Sequence, residues 1–113
     1  MKVTMTYNAA CGTARNVLAL LRERGIEPEI IEYLKTPLSK SAIAALIRKM
    51  DVPVRDAVRT KEKLYSELNL DKASDDQLLA AMAEHPVLLN RPIVTTPRGT
   101  KLCRPSETVE ELL

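Results

Sequence analysis

The sequence holds one histidine, His85, and two cysteines, Cys11 and Cys103, far apart in the chain. Without a second histidine or a pair of neighbouring cysteines it offers no ligand set for a metal. Three residues beyond Cys11 stands Ala14, so there is no Cys-x-x-Cys pair to form a local redox disulfide. Six residues beyond Cys11 stands Val17, where the phosphate loop of tyrosine-phosphatase-like enzymes requires an arginine. No apolar run approaches the roughly 20 residues that span a bilayer, and Lys2-Val3-Thr4-Met5-Thr6-Tyr7 lacks the long apolar stretch of a secretory signal. We therefore expect a soluble, cytoplasmic protein whose cysteines are free thiols rather than a structural disulfide. Charge of one sign is also lacking: the formal net charge is +2, with lysine and arginine spread along the chain, which suggests neither a nucleic-acid nor a membrane partner. There is no internal repeat and no low-complexity stretch.

What is present suits one compact domain, 1–113, because 113 residues with 45% apolar content are too few for two domains of ordinary size. The opening Val3-Thr4-Met5-Thr6-Tyr7 is β-branched and stops at Asn8-Ala9-Ala10, which reads as a short strand entering a turn. Val17, Leu18, Leu20 and Leu21 then recur at helical spacing until Gly25, placing Cys11 at or just before a helix amino terminus. Glu29–Tyr33 reads as a second strand, and strand-helix-strand order implies a right-handed parallel crossover. A helix opened by Ser39 carries Ile43, Leu46, Ile47 and Met50 on one face. Ser74-Asp75-Asp76-Gln77 has the capping-box pattern for another, ending near His85-Pro86. Residues 53–73 read as short helical pieces and loops. Pro92–Thr96 and Thr100–Cys103 form a hairpin across Pro97-Arg98-Gly99, and Ser106–Leu113 closes the chain as a short amphipathic helix.

Cys11 is the residue most suited to chemistry. A thiol is a nucleophile only as its thiolate, and the free N–H groups and dipole of a helix amino terminus favour that form. The same N–H groups hold anions, so one element can activate the sulfur and seat an oxyanion beside it. Cys103, in a strand, is expected to be a packed thiol. His85 is expected to form hydrogen bonds at a helix end, and Arg15 to be solvated on its helix, outside any site.

Asn8-Ala9-Ala10-Cys11-Gly12-Thr13-Ala14-Arg15-Asn16 resembles the active-site segment of the glutaredoxin-coupled arsenate reductases, the ArsC family. Glu32–Pro37, Val54–Arg59, His85–Val94 and Leu102–Glu107 resemble further family segments, in the family's order and across nearly the whole chain. The resemblance implies an α/β, thioredoxin/glutaredoxin-like fold: a mixed sheet flanked by helices, with extra helices between the second and third strands. It also implies a cis bond at Arg91-Pro92. By the same resemblance Cys11 is the nucleophile, and Arg59, Arg91 and Arg104 bind arsenate. Planar guanidinium forks suit a multiply charged tetrahedral anion, and they would also favour the thiolate.

The implied reaction passes through a Cys11–arsenic adduct, with glutathione as co-substrate, glutaredoxin as protein partner and no bound cofactor, in a monomer. Two positions depart from the family pattern: Tyr7 stands where a histidine is usual and Ala9 where a proline is. Activation of Cys11 then falls to the helix terminus and the arginines, or to a Tyr7 hydroxyl hydrogen bond. The alternatives are a redox-responsive regulator that binds RNA polymerase, whose usual Cys-x-x-Cys is missing here, and a thiol-dependent reductase of another substrate.

Overall fold

The computed structural model describes residues 2–113, which form two compact units: one from the segments ending at Thr36 and beginning at Arg91, the other Pro37–Asn90. The first unit holds β1 (Thr4–Thr6), α1 (Gly12–Glu23), β2 (Glu29–Ile31), β3 (Ile93–Thr96), β4 (Gly99–Leu102) and a terminal 3₁₀ segment, Ser106–Leu112. The strands make one sheet in the order β2-β1-β3-β4. β1 pairs with β2 in parallel, Met5 facing Ile30, while β3 runs antiparallel to both β1 and β4. Three further helices lie in sequence between β2 and β3, as the resemblance implies.

α1 forms because Ala14, Val17, Leu18 and Leu21 recur on one face, and that face is buried. Val17, Leu18 and Leu21 pack with Val3, Met5, Val94 and Cys103, and with Val109 and Leu112 of the terminal segment. The helix stops at Gly25, whose φ of 72° suits a residue without a side chain. There Gly25 N–H bonds Arg22 O at 2.9 Å and Ile26 N–H bonds Leu21 O at 2.9 Å, satisfying carbonyls the helix leaves open. The strand ends differ from the sequence reading: β1, β2 and β3 are shorter than expected, Gly99 already belongs to β4, paired with Thr96, and Cys103 lies just past it; the short closing helix is of the 3₁₀ type.

The second unit holds α2 (Lys40–Met50), α3 (Lys63–Glu67) and α4 (Asp75–Glu84), linked by 3₁₀ turns. Ser39 caps α2, its Oγ accepting from Ala42 N at 3.1 Å. Ile43 and Ile47 are buried, but Leu46 and Met50 are only partly so. The capping box opens α4: Ser74 Oγ accepts from Gln77 N at 3.2 Å, and Gln77 Oε1 accepts from Ser74 N at 2.8 Å. At the far end His85 acts through its backbone, its N–H bonding Ala81 O and its carbonyl accepting from Leu88 N.

Sequence reasoning gave no role to Arg55, yet it is the clasp of the irregular 53–73 segment. Its Nη1 donates to Tyr65 Oη at 2.7 Å and to Leu70 O at 2.9 Å, and its Nη2 to Ala73 O at 2.8 Å. One half-buried guanidinium thus satisfies three acceptors that loop backbone would otherwise expose.

Candidate active site

Cys11 is the N-cap of α1, with φ −91° and ψ 115°, so its sulfur stands where the first helical N–H groups converge. The turn that brings it there is closed by hydrogen bonds from its own residues. Cys11 N–H bonds Asn8 O at 2.9 Å, and Asn8 Oδ1 accepts from Ala10 N at 3.0 Å. Tyr7 N–H bonds Ile31 O at 2.9 Å, anchoring the start of the turn to β2. Beneath it Thr6 Oγ1 accepts from Ile93 N at 2.8 Å, tying the end of β1 to the start of β3.

Two arginines meet at this sulfur. Arg91 and Arg104 each precede a proline, and both bonds, Arg91-Pro92 and Arg104-Pro105, are cis. The first was expected; the second was not. Arg104 Nη1 lies 3.9 Å from Cys11 Sγ and donates to the Arg91 carbonyl at 3.3 Å. Arg104 is solvent-exposed, whereas Arg91 is buried and hydrogen-bonds the Cys11 sulfur with its side chain.

Cys11 is 5% exposed, and that burial alone would push its pKa up. The balance goes the other way, and the thiol is held below its ordinary range. The N–H of Ala14 is the largest opposing influence, followed by the charge and hydrogen bond of Arg91, then the N–H of Thr13. No acidic side chain stands in the first turn of α1 to compete with the thiolate. This is a preformed anion environment around a thiol.

Tyr7 stands at the position where the family pattern has a histidine. It lines an open groove of about 580 Å³ along α1 with Arg15, Leu18, Ala19, Arg22 and Glu23. The helix N–H groups and Arg91, rather than a neighbouring ring, are what favour the Cys11 thiolate.

Cys103 lies just beyond β4, wholly buried in the apolar cluster. Burial raises its pKa to about 12, Lys101 and Glu111 having smaller and opposite effects, and its Sγ sits 3.6 Å from Lys101 O. It is a packed thiol, as its place in the hairpin suggested.

Arg59 belongs to the second unit. Its N–H bonds Leu88 O at 2.7 Å beside the Val58–Leu89 bridge, and its guanidinium pairs with Glu62 at 3.3 Å. Arg15 was expected to be idle. It is exposed, but its Nη1 donates to Ala9 O at 2.6 Å, so it touches the turn that presents Cys11. Its position four residues after the helix cap was the available signal, because helical side chains lean back over the preceding turn.

A family model described as the ArsC family matches residues 7–112. The chain is 50% identical to an arsenate reductase of Rhizobium meliloti over 100% of its own length and 82% of that protein's. It is 50% identical to an arsenate reductase of Escherichia coli over 98% of its length and 80% of that protein's. Among solved structures, the arsenate reductase from Vibrio cholerae superposes with a TM-score of 0.96 at 44% identity, covering 100% of this chain and 98% of that one.

Proposed function

The chain belongs to the ArsC family, and from that premise we propose that it is an arsenate reductase using glutathione and glutaredoxin as its reductants. The observation that supports this most is the thiol of Cys11, held below its ordinary pKa although buried, with Arg91 bonded to it and Arg104 at 3.9 Å. A thiolate beside guanidinium groups attracts an oxyanion to the atom that attacks it.

In the first step the Cys11 thiolate displaces one arsenate oxygen, which leaves as water, giving a Cys–S–As(V) adduct. Glutathione then attacks the Cys11 sulfur. The two sulfurs become a mixed disulfide, and the two electrons they give up leave arsenic as arsenite. Glutaredoxin reduces that disulfide by thiol–disulfide exchange and returns Cys11 to its thiol. The second thiol has to come from outside, since Ala14 stands where a local partner would be and Cys103 is buried with a raised pKa.

Arg91 and Arg104 hold the anion in this scheme. Arg59 is carried as the third arginine on the resemblance of Val54–Arg59 to the family segment. The test is arsenate-dependent NADPH oxidation with glutathione, glutaredoxin and glutathione reductase supplied. Equal turnover with thioredoxin alone would refute the choice of reductant. No arsenate-dependent oxidation with any thiol system would refute the substrate, leaving a regulator or a reductase of another compound.

A further inference from the structure

Arg15 has no part in the scheme above, yet its guanidinium folds back along α1 toward the helix start. Its Nη1 donates to the Ala9 carbonyl at 2.6 Å, the shortest of the bonds described around this turn. Its Nη2 lies 3.7 Å from where a Cβ on Gly12 would stand, so the group lies across the residue that follows Cys11. We infer that Arg15 is a positioning residue for Cys11: it clamps the Asn8–Cys11 turn through the Ala9 carbonyl and so holds the sulfur over the helix N–H groups. This rests on the reading of Cys11 as the nucleophile.

The argument follows from what the turn would be without it. Cys11 N–H bonds Asn8 O, making Asn8 and Cys11 the ends of a four-residue turn with Ala9 and Ala10 at its centre. Alanine carries no conformational bias that would hold this geometry, and the side chains at both central positions are exposed. Asn8 fixes the Ala10 N–H, and Arg15 fixes the Ala9 carbonyl. These are the two tethers that set how the peptides at the tip are turned. A charged donor makes the stronger kind of hydrogen bond. If the turn relaxes, the sulfur drifts from the N–H groups of Thr13 and Ala14, on which its lowered pKa partly depends. Arg15 is not itself among the charges that favour the thiolate, so its effect runs through geometry.

That distinction can be measured. Arg15→Ala should move the pH profile of Cys11 alkylation upward, speed hydrogen exchange at the Cys11 amide, and lower kcat/KM for arsenate by about tenfold. Ala9 occupies the second position of the turn, where proline is favoured, so adding Ala9→Pro to Arg15→Ala should recover most of the loss by stiffening the turn without restoring charge. Arg15→Lys, which keeps charge but not the planar fork, should recover less. Three results would overturn the inference: an alkylation profile and amide exchange unchanged in Arg15→Ala, rescue by lysine but not by proline, or a turn that exchanges faster while the thiol profile stays put. Should Arg15→Ala not fold, as judged by circular dichroism, the lysine and lysine–proline variants carry the same comparison. Alkylation and exchange need no arsenate, so they decide the role of Arg15 even if the protein reduces some other oxyanion.

Discussion

Arg91 and Arg104 both reach Cys11, but replacing them by alanine should not be equivalent. Arg104 is exposed, and at 3.9 Å in the dielectric of water a pair of unit charges is worth only ~1 kcal/mol, about fivefold in rate. Arg91 is 9% exposed and bonds the sulfur directly, so water screens it far less. Losing a charge-assisted hydrogen bond of about 1.5 to 3 kcal/mol corresponds to roughly 10- to 100-fold in kcat/KM. The alkylation rate of Cys11 against pH should therefore shift upward in Arg91→Ala and only slightly in Arg104→Ala. The sign follows from what remains: burial still raises the thiol, and one of the groups opposing it has gone. Arg91→Lys should recover part of the thiol shift but less of the arsenate affinity, because an ammonium restores charge without the two-pronged contact. Arg98→Ala is the control, its Nη1 being bonded to Leu113 O at 2.7 Å. Equal or larger alkylation shifts in Arg104→Ala or Arg98→Ala would mean that general electrostatics, not the buried arginine, governs the sulfur.

Other outcomes follow from the same features. Cys11→Ser should abolish turnover with the fold retained by circular dichroism, whereas Cys103→Ser should turn over nearly normally; the reverse pattern would exchange the roles of the two thiols. The native protein at pH 8 should take up one equivalent of a thiol reagent rapidly and the second only in denaturant, which mass spectrometry would show. An unfolded thiol ionises near ~8.5, but Cys103 in the fold does so at about 12. Its contribution to stability is therefore complete below the first value and is lost as pH rises through the second, at up to ~1.4 kcal/mol per pH unit. Cys103→Ala should flatten the fall in Tm between pH 8 and pH 10. Ser74→Ala removes the Oγ bond of the capping box, leaving the one from Ser74 N to Gln77 Oε1, and should lower stability by about 1 kcal/mol in urea titration, without changing arsenate kinetics.

Much of this arrangement was legible in the chain because the signals were local. The period of Val17, Leu18 and Leu21, the stop at Gly25 and the capping box at Ser74 are each encoded within a few residues, and each element stands where those residues place it. Cys11 at the helix cap came from the same kind of reading, a strand ending against a helical period. Side chains that reach sideways to backbone were not legible. Arg55 binds two carbonyls and a hydroxyl between 10 and 18 residues ahead, and no periodicity announces where an irregular segment will fold. Arg15 escaped for a different reason. An exposed arginine on a helix is usually solvated, and composition does not reveal that the Ala9 carbonyl waits in the turn ahead of the helix.

The two cysteines show how the fold, rather than the residue, decides reactivity. Both are buried and both lie next to an end of a regular element. Burial pushes both thiols up, so exposure alone gives no reason for them to differ. What differs is the set of neighbours. Cys11 faces backbone N–H groups and a guanidinium, donors already turned toward it by the helix start and by Arg91, so the charged form finds its solvation in the protein. Cys103 has apolar side chains around it and a carbonyl oxygen at 3.6 Å, an acceptor that suits S–H and repels S⁻. A mutation that brought a positive charge to Cys103 would have to do so inside the cluster of Met5, Val94 and Leu112, at a desolvation cost of several kcal/mol. Exchanging the two environments is therefore beyond a single substitution.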